Sequence, residues 1–218
     1  MHIFINKWYN EPIIKKGEKM KFFVNFLSAF RIFTAFAIIP TLFFQLYWLT
    51  FALYALGAVS DWFDGYLARK YNVCSKLGGV MDHIGDKLLV VNSLIMLAIM
   101  MPVWFIITPV IVMIARELYI SGLREFLGTQ KIEMPVPKAR FSMGKIKTTL
   151  QMVSIAAFFL LFAIGTTITP ESDSRLFLAL LSVIPTIGIW GLWLSLVASI
   201  WSATQYTITF AGHLRNIK

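Results

Sequence analysis

The chain has 218 residues, 58% of them hydrophobic and only 14% charged, which is too apolar for a soluble domain and predicts a polytopic membrane protein built as one bundle. A single cysteine, Cys74, excludes an intrachain disulfide. The net charge of +9 is spread over several loops without the interleaved aromatics of a nucleic-acid groove, so no nucleic-acid partner is expected.

Residues 1–24 mix lysines with Trp8, Tyr9, Ile13, Ile14, Phe22 and Phe23. They read as a basic segment of their own, either a short helix in the headgroup layer or a disordered extension, ahead of a membrane domain over 25–218. No cleavable signal peptide is expected, and Met20 is an alternative start to Met1. Six hydrophobic spans follow, at about 27–46, 48–71, 79–101, 103–126, 143–168 and 176–200. Pro40 falls inside the first, and Pro185 with Gly188 predicts a bend in the last. The fold class is therefore an all-α integral membrane protein, a six-transmembrane-helix bundle with a short N-terminal interfacial segment. Nearly all the lysines and arginines lie in the N-terminal segment, the 69–76 loop, the 124–147 region and the tail, and the opposite loops hold only Arg175. That asymmetry predicts that both termini are cytoplasmic.

Within this apolar chain the carboxylates are conspicuous. Asp61 and Asp64 close the second span at helical spacing i, i+3, and Asp82 and Asp86 open the third at i, i+4. Two antiparallel helices joined by the polar run 70–76 would bring these acids together at the cytoplasmic end. Unpaired charge in such sequence costs several kcal/mol, and like charges so close need a positive group between them. An all-oxygen set suits Mg²⁺, Mn²⁺ or Ca²⁺, and four carboxylates suffice for a two-metal centre. Gly65, Ala68, Gly78 and Gly79 leave room for a bulky ligand or a close helix, which a simple cation path would not require.

The pattern D-x-x-D-G-x-x-A-R, eight residues, then G-x-x-x-D-x-x-x-D, filled by Asp61, Asp64, Gly65, Ala68, Arg69, Gly78, Asp82 and Asp86, resembles the signature of the CDP-alcohol phosphatidyltransferases. Asn25-Phe26-Leu27-Ser28-Ala29-Phe30-Arg31 is similar to the N-x-L-T-x-x-R that precedes it in bacterial members, with Ser28 in place of Thr. The resemblance implies that Asp61, Asp64 and Asp82 hold two divalent cations, Mg²⁺ or Mn²⁺. Asp86 would lie beside a metal and act as general base for the acceptor hydroxyl. Gly65, Ala68 and Gly78 would admit the nucleotide, with Asn25, Arg31 and Arg69 toward its phosphates; Arg31 has support of the metal site as its second reading. A carboxylate beside two cations is a weak base, so the base role requires that the hydroxyl be acidified or that the proton move late. Members usually read D-P-x-A-D-K at the second acid pair, where this chain has His83 for Pro and Gly85 for Ala. Neither change touches a carboxylate, and His83 is not expected to be a ligand.

Arg116-Glu117 with Ser121-Gly122-Leu123-Arg124-Glu125, and Gly144-Lys145-Ile146-Lys147-Thr148-Thr149-Leu150-Gln151, resemble the phosphatidylglycerophosphate synthase branch of that family. This likeness implies transfer of a phosphatidyl group from CDP-diacylglycerol to glycerol 3-phosphate, in the inner membrane of a bacterium, by a homodimer. An acceptor that carries its own phosphate needs cations, and Arg116, Arg124, Lys138, Arg140 and Lys145 are the candidates. Two rivals stay open. One is the same chemistry with another acceptor, as in a cardiolipin or phosphatidylinositol phosphate synthase, and the other is a divalent-cation transporter.

Overall fold

The computed structural model describes residues 13–71, 76–129, 143–167 and 175–215. The described elements are all helices: α1 Ile13–Phe43, α2 Tyr47–Tyr71, α3 Lys76–Met100, α4 Trp104–Thr129, α5 Met143–Gly165 and α6 Arg175–Arg215. Among the described residues five stretches are long and apolar enough to cross a membrane: Phe22–Phe43, Gly78–Met100, Trp104–Gly128, Ile146–Gly165 and Leu181–Gly212. Phe22, Phe44, Trp104 and Leu118 are exposed, as a surface facing acyl chains requires. The protein is an all-α membrane protein. Helix α2, whose last turns carry the charged run from Asp61 to Lys70, is not among the five.

Two helices outrun the spans read from sequence. The structured part of the N-terminal segment, from Ile13, is continuous with the first span, so Gly17 does not interrupt α1. Residues 1–12 lie outside the described residues. Helix α6 passes through Pro185 and runs on to Arg215, and its 41 residues extend about 60 Å at ~1.5 Å per residue, roughly twice the hydrocarbon thickness.

The chain divides into two compact units, Met1–Ser93 and Leu94–Lys218. In the first, α1 packs along α2. The turn between them is tight: Leu46 N–H donates to the Thr41 carbonyl and Gln45 N–H to that of Leu42, with Gln45 at φ 58°. This is the left-handed helix stop that usually takes glycine. Thr50 then bonds Thr41 across the turn, hydroxyl to hydroxyl at 2.9 Å. Interhelical hydroxyl bonds of this kind hold apolar helices together where lipid supplies no hydrophobic drive.

Further along, Gly57 of α2 is the point of closest approach. A Cβ there would lie 2.9 Å from Thr34 Oγ1 of α1 and 3.1 Å from Leu89 Cδ2 of α3. Thr34 and Leu89 are themselves fully buried, so neither can move aside cheaply. At Gly85 of α3 the nearest atoms to a Cβ are Ser28 O at 3.4 Å, Arg31 Cδ at 3.5 Å and Ile32 Cγ1 at 3.5 Å, which is ordinary contact. Gly57→Val is therefore expected to cost about 1–3 kcal/mol of stability through overpacking. Gly85→Ala is expected to be neutral or to stabilise by up to about 1 kcal/mol through better helix propensity. Thermal unfolding of the two variants in detergent checks the contrast, and equal loss at both sites would refute it.

In the second unit α6 packs on both α4 and α5. Gly188 lies against the ring of buried Phe158, with a notional Cβ 2.9 Å from Phe158 Cε2. Trp193 Nε1 donates to the Phe105 carbonyl at 3.1 Å. The Ser195 hydroxyl donates to the Leu192 carbonyl at 2.8 Å and lies 3.2 Å from the sulfur of Met113. Trp193 and Ser195 are thus polar side chains threaded through an otherwise apolar core and satisfied at short range.

Candidate functional site

The close approaches at Gly57 and Gly85 carry three acids to one place. Asp61 lies one turn beyond Gly57 on α2, and Asp86 directly follows Gly85 on α3. Ligand oxygens of Asp61, Asp82 and Asp86 all lie within 4.8 Å of one another. Their side chains are 33%, 45% and 37% exposed, respectively, so the cluster is reachable from outside. Asp64 is in the same helix three residues after Asp61; its side chain, like those of Ala68 and Arg69, lies outside the described residues, and the surroundings of Gly65 do too.

A cation stands at the centre of the triad. Arg31 of α1 is fully buried, and its Nη1 donates to Asp82 Oδ1 at 2.9 Å and to Asp86 Oδ1, and lies 3.3 Å from Asp61 Oδ1. Its backbone is held as well: Thr34 Oγ1 donates to the Arg31 carbonyl at 2.9 Å. Two turns further along α3, Asn92 Nδ2 donates to the Ala35 carbonyl at 3.0 Å, tying α3 to α1 beside the site. The anionic partner that an arginine inside an apolar helix demands is thus supplied by the protein's own acids. Of the other residues read as nucleotide contacts, Asn25 is half-buried and Gly78 buried. His83 is exposed and is not one of the three residues whose ligand atoms converge.

The triad fits a hard divalent cation. All its donors are carboxylate oxygens, and they already converge on a positive group, the Arg31 guanidinium.

The basic residues of the second unit form a different network. Arg116 of α4 spreads its guanidinium over three partners: Nη1 donates to Glu117 Oε1 at 3.0 Å, Nε to the Ser199 carbonyl at 3.2 Å and Nη2 to Ser202 Oγ at 2.9 Å. Glu117 Oε1 is also ion-paired with Lys147 of α5. Arg124 is exposed, bonds the Tyr206 hydroxyl at 2.9 Å and stacks over its ring at 5.1 Å. Lys138 and Arg140 lie outside the described residues, as does the side chain of Lys145. The Glu117–Lys147 pair is the part that sequence reading left out. The signal was the spacing of Lys147, Gln151 and Ser154 at i, i+4 and i+7, a polar stripe on an apolar helix that is now seen to be buried.

The comparisons with known proteins agree with one another. A protein named CDP-diacylglycerol–glycerol-3-phosphate 3-phosphatidyltransferase from Cereibacter sphaeroides is 44% identical over 115 residues, 52% of this chain and 50% of the relative. The chain therefore spans about half the length of that relative. Proteins of the same name from Pectobacterium atrosepticum and Escherichia coli are 34% and 35% identical, over 71% and 60% of this chain and 74% and 72% of their own length. No solved structure matches. The model of the CDP-alcohol phosphatidyltransferase family matches residues 22–201, a range that takes in Arg31, the aspartates on α2 and α3, and the Arg116–Glu117–Lys147 network. The chain belongs to the CDP-alcohol phosphatidyltransferase family.

Proposed function

We propose that this protein transfers the phosphatidyl group of CDP-diacylglycerol to glycerol 3-phosphate, giving phosphatidylglycerol phosphate and CMP. The observation that carries the reading is the convergence of Asp61, Asp82 and Asp86, signature residues from two helices, within 4.8 Å. The shared name of the relatives supports the choice of donor and acceptor. The basic loops support a bundle of six spans in the inner membrane of a bacterium, with both termini and the acids toward the cytoplasm. A homodimer is part of the proposal through the family resemblance.

Asp61, Asp64 and Asp82 would hold two divalent cations, with Asp86 beside them. When bound, Mg²⁺ or Mn²⁺ neutralises the donor diphosphate and stabilises CMP as it departs. The chain's own residues do the rest. The acceptor hydroxyl oxygen bonds to the phosphorus that carries diacylglycerol, the phosphoanhydride bond to CMP breaks, and Asp86 takes the hydroxyl proton. Gly65, Ala68 and Gly78 admit the nucleotide to the helix backbone, with Asn25, Arg31 and Arg69 toward its phosphates. Arg116, Arg124, Lys138, Arg140 and Lys145 recognise the acceptor's phosphate. At Arg116 a phosphate has to displace Glu117, Ser199 or Ser202, whereas Arg124 is exposed.

CMP release from the purified chain, with CDP-diacylglycerol, glycerol 3-phosphate and Mg²⁺ or Mn²⁺ each omitted in turn, tests this. Release is expected only when all are present. Release with phosphatidylglycerol or inositol phosphate in place of glycerol 3-phosphate would reassign the acceptor. Cation flux in proteoliposomes without CMP release would replace the enzyme by a transporter.

A further inference from the structure

Arg31 reaches the acids from inside the protein. Its side chain has no exposed surface, whereas each of the acids it meets is at least one-third exposed. Its Nη1 sits where the oxygens converge, on Asp82 at 2.9 Å, on Asp86, and 3.3 Å from Asp61. A magnesium ion takes its oxygens at ~2.0–2.1 Å and demands near-octahedral order. Oxygens turned onto a guanidinium nitrogen cannot also close on such an ion, and two positive charges repel in so small a space.

We infer that Arg31 is a tethered cation that competes with the divalent metal for the oxygens of Asp61, Asp82 and Asp86 and yields them as the metal loads. The inference rests on the triad's being a metal centre. An arginine suits the task because its charge cannot be titrated away and its planar fork addresses several carboxylates at once. The surroundings give it a fixed base. A Cβ at Gly85 would lie 3.5 Å from its Cδ, and Thr34 Oγ1 holds its carbonyl. A guanidinium that has given up the acids still lies beside the site, with donors that match a diphosphate bidentately. Metal loading would thus convert Arg31 from a ligand of the acids into a ligand of the nucleotide, and metal and donor would each strengthen the other's binding.

The test uses the full chain in detergent, stripped with a chelator and titrated with Mn²⁺, the free ion being read by electron paramagnetic resonance. Arg31→Gln is expected to bind Mn²⁺ about tenfold or more tightly than the wild type, the factor worth roughly one charge-assisted hydrogen bond. The variant is also expected to melt lower than the wild type in chelator and to recover on adding Mn²⁺. Equal or weaker Mn²⁺ affinity in the variant overturns the inference while leaving the metal centre intact. A wild-type chain that binds no Mn²⁺ overturns the metal centre itself, and the inference with it. Should Arg31→Gln not fold, the wild type decides alone: modification of Arg31 by an arginine-specific dicarbonyl, read by mass spectrometry, is expected to rise when Mg²⁺ replaces chelator. Equal protection in both conditions refutes the exchange.

Discussion

Asp86→Asn is expected to lower the rate of CMP release by about a thousandfold or more while leaving CDP-diacylglycerol binding largely intact. The substitution keeps the shape of the side chain and removes its charge and its capacity to take a proton. General base catalysis contributes typically 10²–10⁴-fold, and an interaction worth about 4 kcal/mol in the transition state corresponds to about a thousandfold in rate. Donor binding survives because Asp61 and Asp82 still face the site beside Asp86, with Asp64 on the same helix as Asp61. Single-turnover chemistry and equilibrium binding of the donor separate the two effects. If the variant loses donor binding instead, Asp86 is mainly a metal ligand and the proton has another acceptor.

The second large effect is structural and belongs to the other unit. Glu117→Ala is expected to destabilise the protein by about 3–5 kcal/mol, the cost of leaving buried cations without their carboxylate. Glu117 serves both Arg116 and Lys147, whose side chains are only 10% and 6% exposed. Helices α4, α5 and α6 meet at this network, because Arg116 also grips Ser199 and Ser202. The double substitution Glu117→Leu with Lys147→Met removes one cation along with the acid and is expected to recover roughly half of the loss, since a buried ion pair can give way to apolar side chains at little cost. Unfolding of Glu117→Leu, Lys147→Met and the double variant in detergent gives the coupling between the two sites. A Glu117→Ala protein as stable as the wild type would show that the network contributes nothing.

The acids were legible in the sequence because their spacing is the spacing of a helix. Asp82 and Asp86 had to share a face, Asp61 closes the helix before them, and the apolar flanks made these charges stand out; the side chain of Asp64 lies outside the described residues. The role of Arg31 was only half legible. An arginine among Phe30, Ile32 and Phe33 announces that it needs an anion, but the nucleotide and the acids were both open to it. The contact with the acids comes from packing: Arg31 and Asp86 are 55 residues apart in the chain, and the Gly57 and Gly85 approaches bring them together. The Glu117–Lys147 pair was missed because a lysine near a helix start reads as a loop charge, and only the stripe it forms with Gln151 and Ser154 marks its face as buried. Helix ends were missed for a simpler reason. Hydropathy marks only the length that crosses a bilayer, whereas α1 begins at Ile13 and α6 runs on to Arg215. The six-span reading rests on α2, whose charged end keeps it from standing out by composition.

The tight turn after α1 bears on how the protein is made. Residues 44–46 alone separate α1 from α2, too little chain for the two helices to fold apart and meet later. The pair has to form as one hairpin, with the apolar α1 carrying its charge-bearing companion. Lengthening this turn with a flexible insert would let α2 drift, and Asp61 would then part from Arg31.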